Sequence, residues 1–174
     1  GLAPIKINVV VMRGVNEDEL LDFARLTQDG WNVRFIELMP ILNKGVQQPE
    51  FVSAKEMWNT ISTLGTLEPC SPPTGNGPAN YYQLPGAKGT IGFITPVSDH
   101  FCFKCNRLRL TADGKLLPCL LAGEEIDLRS ALRAGASPDD IRQLIRKAVA
   151  SKPEGHHVSQ GVVTQKRPMT QVGG

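Results

Sequence analysis

The chain has 174 residues, 21% charged and 41% hydrophobic, a globular balance that excludes disordered and fibrous classes. Its net charge of +2 is too small for a general nucleic-acid binder, yet leaves room for a local basic patch facing an anionic small molecule. No apolar run approaches the roughly 18–20 residues of a membrane span, and no signal-peptide pattern opens the sequence.

In chain order, residues 5–12 (IKINVVVM) form a nearly continuous apolar run closed by Arg13-Gly14, which predicts a fully buried strand of a parallel sheet. Asn16 with Glu19 predicts a capping box for a helix of about a dozen residues, ended by Gly30. Residues 33–39 (VRFIELM) predict a second buried strand, stopped by Pro40. Strand, helix and strand make one βαβ crossover, with two parallel neighbours. One crossover does not close a barrel, so the sheet is expected to be cut off at its N-terminal edge. An exposed edge predicts self-association, a homodimer among its forms. The opening Gly-Leu-Ala-Pro, without an initiator Met, is expected of a processed product or a fragment.

Further along, residues 53–64 predict an amphipathic helix, and 68–80 (EPCSPPTGNGPAN) a Pro/Gly-rich loop. Short strands are predicted at 81–84 and 90–95, and helices at 127–134 and 138–150. Ser137 caps the last helix, with Pro138 at its first position and Asp139-Asp140 in its first turn. Residues 151–174 show no apolar periodicity and predict an irregular tail ending in Gly173-Gly174.

The informative segment is 101–121, FCFKCNRLRLTADGKLLPCLL. Cys102, Cys105 and Cys119 are spaced C-x2-C-x13-C, so a turn offers two thiolates to one metal centre and a hairpin returns a third. The turn around Asp113-Gly114 suits a three-residue loop with Gly114 in the left-handed position. That register pairs Thr111 with Lys115 and Arg109 with Leu117, and puts Cys105, Arg107, Arg109 and Cys119 on one face. A two-residue loop would shift the register by one and turn Cys119 away. Three thiolates without an obvious fourth suit a [4Fe–4S] cluster with one open iron. Arginines two apart on a strand stand roughly 6.6 Å apart, a match to neighbouring phosphates.

Spacing alone does not choose the metal. A zinc knuckle with His100 or Cys70 as fourth ligand fits it as well, and Arg-x-Arg on a strand is often only a solvated edge. Cys70, in a proline-rich loop, reads as a free thiol without a role. His156 and His157, being adjacent, diverge on any regular element. Lys6, inside a buried strand, either snorkels out at the strand end or meets an anion. Four cysteines without a secretory leader favour thiols or metal ligands over disulfides.

The run GTIGFITPVSDHFCFKCNRLRLTADGKLLPCLL closely resembles the GTP 3′,8-cyclase family of molybdenum-cofactor biosynthesis, which is a radical-SAM family. The segments PIKINVVVMRGVNEDE and RFIELMP and the terminal Gly-Gly agree with it as well. The resemblance implies an α/β fold: the C-terminal part of an incomplete (βα)6 TIM-like barrel, followed by an α+β segment with the cysteine-bearing hairpin. Residues 1–45 are then the last βα units of the barrel, 46–150 an iron–sulfur and GTP-binding segment, and 151–174 the tail. The resemblance also moves the metal from zinc to iron–sulfur.

By the same resemblance, Cys102, Cys105 and Cys119 ligate a second [4Fe–4S] cluster whose open iron meets the guanine of GTP. Lys6, Arg107, Leu108 and Arg109 bind GTP, and Met39 contacts SAM. Lys6 and Met39 are expected near strand ends, where such barrels hold their sites. Gly173 and Gly174 are expected to reach into the active site. The implied reaction begins with reductive cleavage of SAM at a first [4Fe–4S] cluster, giving a 5′-deoxyadenosyl radical. The radical takes hydrogen from C3′ of GTP, the carbon radical attacks C8, and 3′,8-cyclo-7,8-dihydro-GTP results. Cyclic pyranopterin monophosphate synthase acts next. The first-cluster motif Cys-x3-Cys-x2-Cys is absent from these 174 residues, so the chain alone is expected to be inactive without an N-terminal radical-SAM half. Neither a nucleic-acid nor a membrane partner is expected; the expected location is bacterial cytoplasm, or mitochondria for a eukaryotic relative.

Overall fold

β-Branched residues suit a pleated, half-buried surface, and the Val-rich run forms β1, Lys6–Arg13. A computed structural model describes residues 3–39, 50–75, 77–121, 123–156, 167–168 and 171–172. After β1 come a 3₁₀ turn at Glu17–Glu19, helix α1 at Leu20–Arg25 and a second 3₁₀ turn at Leu26–Asp29. Gly30, at φ +96°, ends this stretch in the left-handed conformation that glycine adopts without strain. Strand β2, Asn32–Glu37, then pairs parallel with β1, Val9 beside Phe35. The crossover is the one expected.

Asn16 does not cap the helix as expected. Its side-chain oxygen accepts from Met12 N at 2.8 Å and its amide donates to Val10 O at 3.0 Å, fastening the turn to β1 instead. Strand β3, Glu50–Phe51, pairs antiparallel with the end of β1. Helix α2, Ala54–Ile61, starts from a complete capping box between Ser53 and Glu56 and runs into a 3₁₀ turn at Ser62–Leu64. Strands β4 (Glu68–Pro69), β5 (Asn80–Gln83) and β6 (Ile91–Ile94) complete the sheet, in the order β3-β1-β2-β6-β5-β4. Strand β6 is parallel to β2, so a second crossover through α2 extends the parallel core to three strands.

Ile7, Val9 and Val11 share a face with Val33, Phe35, Ile91 and Phe93, and the helices bring Leu20, Ala24, Met57 and Ile61 against it. The other face of β1 is not buried as its continuous apolar run predicted. Val10 is 40% exposed, because α1 and α2 pack on the same side of the sheet and cover only alternate residues. Glu37, by contrast, is fully buried among the core side chains. Its carboxylate accepts from Ala54 N at 2.9 Å, Val97 N at 3.0 Å and Ser98 N at 2.9 Å, and from the Ser98 hydroxyl. One side chain thus starts α2 and fixes the chain leaving β6.

The residues divide into two compact units, Gly1–Met39 with Gln47–Phe101, and Pro40–Val46 with Cys102–Gly174. β5 and β6, assigned from sequence to a separate segment, therefore belong with β1 and β2. In the second unit, β7 (Arg109–Leu110), β8 (Lys115–Leu117) and β9 (Ile126–Asp127) form an antiparallel sheet in that order. Helices α3 (Leu128–Arg133) and α4 (Pro138–Ala150) follow, capped by Asp127 and by a Ser137–Asp140 box. Leu116, Ile126, Leu128 and Ala148 form the small core, with Leu108 and Leu144 against it. Among the described residues no helix is long and apolar enough to cross a membrane.

Candidate metal centre

The hairpin's geometry follows from its turn. Thr111 N donates to Lys115 O at 2.9 Å, which closes a three-residue loop, and Gly114 takes φ +79° within it. A Cβ at Gly114 would stand 2.6 Å from the Arg129 Cβ, so only glycine fits both the angle and the space. Arg109 pairs with Leu117 and Leu110 with Leu116, the register expected from sequence. Cys102 and Cys105 share one 3₁₀ turn, Cys105 N donating to Cys102 O at 3.0 Å.

Arg109 feels three of its expected neighbours electrostatically. Burial holds the Arg109 guanidinium below its ordinary pKa, and the neighbouring Arg107 pushes the same way. Cys105 and Cys119 oppose both, because negative charge on a nearby sulfur would favour the charged guanidinium. Arg107, Cys105 and Cys119 are therefore each within electrostatic reach of Arg109. The Leu108 side chain packs against the small core.

All four cysteines are free thiols, each partly exposed. Among the described residues no three His, Cys, Asp or Glu side chains close into a metal cage. The donor chemistry nevertheless fits an iron–sulfur cluster. Two thiols come from one turn and a third from the returning strand, and Leu121 N donates to Cys119 Sγ at 3.4 Å. An N–H···S bond of this kind stabilises a thiolate ligand. Cys70 belongs to the first unit, where its N–H donates to Tyr81 O and burial raises its thiol pKa.

A carboxylate–arginine knot ties the tail to the hairpin turn. Arg167 donates to Asp113 at 3.1 and 2.9 Å and to both carboxylate oxygens of Glu125, one of them at 2.9 Å. The Thr111 hydroxyl and then Arg167 hold the Asp113 carboxyl down to about 2, against an ordinary 3.8. A depressed carboxyl stabilises the fold fully above its unfolded pKa and loses that contribution as pH falls through the folded one. Wild type should therefore melt above Asp113→Asn at pH 6, and the difference should vanish between about pH 4 and about pH 2. Thermal melts of the two proteins across that range check it. Gly173 and Gly174 lie outside the described residues, as does His157.

In the first unit, Lys6 opens β1 and its ammonium donates to Thr74 O in the proline-glycine loop. On the same face, Arg34 of β2 sits diagonally from it, since Lys6 pairs with Asn32 and Asn8 with Arg34. The Arg34 Nε is buried without a hydrogen-bond partner. Glycines let the loop lie close: a Cβ at Gly75 would meet the Lys6 Nζ at 3.2 Å, and one at Gly77 the Arg34 guanidinium at 3.7 Å. Arg34 was not singled out from the sequence, although a charged residue inside an apolar strand was the same signal that drew attention to Lys6. Met39 lies two residues past the C-terminal end of β2. Lys6 and Met39 are thus at opposite ends of the ladder, the seven steps from Asn32 to Met39 amounting to roughly 23 Å at the rise of a strand. Lys6 opens its strand and Met39 follows the end of its own.

A family model described as Molybdenum Cofactor Synthesis C matches residues 31–158. A GTP 3′,8-cyclase of Moorella thermoacetica is 49% identical over 175 residues, covering 100% of this chain and 54% of that protein. The GTP 3′,8-cyclase of Pelotomaculum thermopropionicum is 50% identical over 177 residues, again covering 100% and 54%. That of Thermodesulfovibrio yellowstonii is 44% identical over 176 residues, covering 100% and 53%. The chain spans about half the length of these relatives. With the model covering most of the sequence and the hairpin motif inside it, the chain belongs to the Molybdenum Cofactor Synthesis C family and is similar throughout to part of a GTP 3′,8-cyclase.

Proposed function

We infer that this chain acts as the C-terminal half of a radical-SAM GTP 3′,8-cyclase in the first step of molybdenum-cofactor biosynthesis. The observation that supports this is the hairpin, where Arg109 lies within electrostatic reach of Arg107, Cys105 and Cys119. Cys102, Cys105 and Cys119 hold a [4Fe–4S] cluster, which supplies an open iron to the guanine of GTP. Arg107 and Arg109 take the triphosphate, bidentate donors on a rigid strand. The partial burial that lowers the Arg109 pKa also strengthens its pull on an anion.

Lys6 and Arg34 are a second cationic pair for the nucleotide, Arg34 offering a buried N–H that wants an acceptor. Met39 contacts SAM. The parallel core β1-β2-β6 supplies the last strands of a partial barrel, and the remainder comes from an N-terminal half. Gly173 and Gly174 complete the active site from the tail.

Anaerobic reconstitution tests this reading. The chain should take up about four irons with matching sulfide, and its reduced-state EPR signal should change when GTP is added. Stoichiometric zinc without a GTP response would make this a structural metal module instead. With reductant, SAM and GTP the chain alone should give no cyclised product, since no residues here hold a first cluster.

A further inference from the structure

The hydrogen-bonded ladder of the hairpin ends before its cysteines. Its outermost pair is Arg109 with Leu117. Beyond that pair one strand runs back to Arg107 and Cys105, and the other runs on to Pro118 and Cys119. Pro118 has no N–H to offer a further rung. At this point Lys152 intervenes: its ammonium donates to Arg107 O at 2.8 Å and to Pro118 O at 2.8 Å. One carbonyl comes from each strand, so the lysine stands where a rung of the ladder would be.

Lys152 is itself held in place. It follows α4 directly, with Ser151 N donating to Lys147 O at 2.9 Å and Lys152 N to Val149 O at 3.3 Å. Ala148, one turn back, is fully buried against Leu116, Ile126 and Leu128. Lys152 is half-buried, so its charge is less screened than that of a surface lysine. Both carbonyls adjoin the site, Pro118 O being in the peptide that leads into Cys119.

We propose that Lys152 is a positioning residue of the metal centre, clamping the open end of the hairpin and placing a fixed positive charge beside Cys119. This rests on the iron–sulfur reading above. The clamp holds the Arg107 strand and the Cys119 strand at a fixed separation, so the thiolates of Cys105 and Cys119 meet one cluster. The charge favours the reduced, more negative state of that cluster and raises its reduction potential, which net charge and hydrogen bonding near the sulfurs set.

Three variants separate the clamp from plain packing: Lys152→Arg keeps the charge, Lys152→Gln keeps a donor without charge, and Lys152→Met keeps neither. Each is reconstituted anaerobically, assayed for iron, and titrated for midpoint potential by EPR. K152R should match wild type. K152Q and K152M should show a lower midpoint potential, K152M with the least iron; iron lost from both but kept in K152R supports the proposal equally. Unchanged potentials in K152Q and K152M overturn it, and so does equal loss of iron from all three variants. If wild type itself takes zinc and no iron, the iron–sulfur reading fails first and this inference with it.

Discussion

Replacing Cys119 by serine should strip reconstituted chain of its iron, from about four per chain to below one. Cys119 is the thiol that the return strand contributes, and no other cysteine follows it in the sequence. A serine oxygen can still accept from Leu121 N, the bond that Cys119 Sγ makes at 3.4 Å. The hairpin should therefore keep its shape and its melting temperature while losing a soft ligand that iron–sulfur chemistry requires. The GTP-dependent EPR change should vanish with the iron. Cys70→Ser should leave iron unchanged, and this contrast gives the experiment its edge. Full iron in C119S, or loss of iron in C70S, would assign the cluster to a different ligand set.

The largest effect on stability should come from Glu37→Ala. The carboxylate accepts from three backbone N–H groups and one hydroxyl at a fully buried position. Truncation leaves the amides of Ala54, Val97 and Ser98 without their acceptor, each costing ~1–3 kcal/mol when it stays dry. A total loss of about 3–5 kcal/mol is expected, on allowing for partial hydration. Glu37→Gln should fall between wild type and alanine, because its amide nitrogen turns a donor toward donors. Urea denaturation followed by the fluorescence of Trp58, which packs on Tyr82 and Phe93 of the same unit, reads the change. A loss below about 1 kcal/mol would mean that water replaces the carboxylate.

The cysteine hairpin was legible in the sequence because its register is decided locally. Asp113-Gly114 selects a three-residue loop, and the loop fixes which residues face one another. Helices α2 and α4 were legible from local signals too, α2 from its amphipathic pattern and α4 from Ser137 and the residues of its first turn. Strand β6 was readable as a strand but not as a parallel neighbour of β2, since that pairing joins Val33 to Ile91 across a helix and three strands. Asn16 misled because a residue able to cap a helix is also able to tie a strand end, and only tertiary contacts decide between them. Arg34 and Glu37 sat in a stretch read as buried strand. The apolar pattern was right, and the two charges within it were the overlooked signal of a buried unpartnered N–H at Arg34 and of the buried carboxylate clamp at Glu37. The exposed face of Val10 was hidden from sequence because an apolar run says nothing about how many layers cover it.

The loop over Lys6 has a consequence for how that charge is used. The ammonium carries three N–H donors, and Thr74 O accepts from one of them. The carbonyl is thus a tether and not a plug: it sets the direction of the side chain and leaves two donors on the same nitrogen. An anion arriving there would meet a lysine whose rotamers are already restricted, so less conformational entropy would be lost on contact.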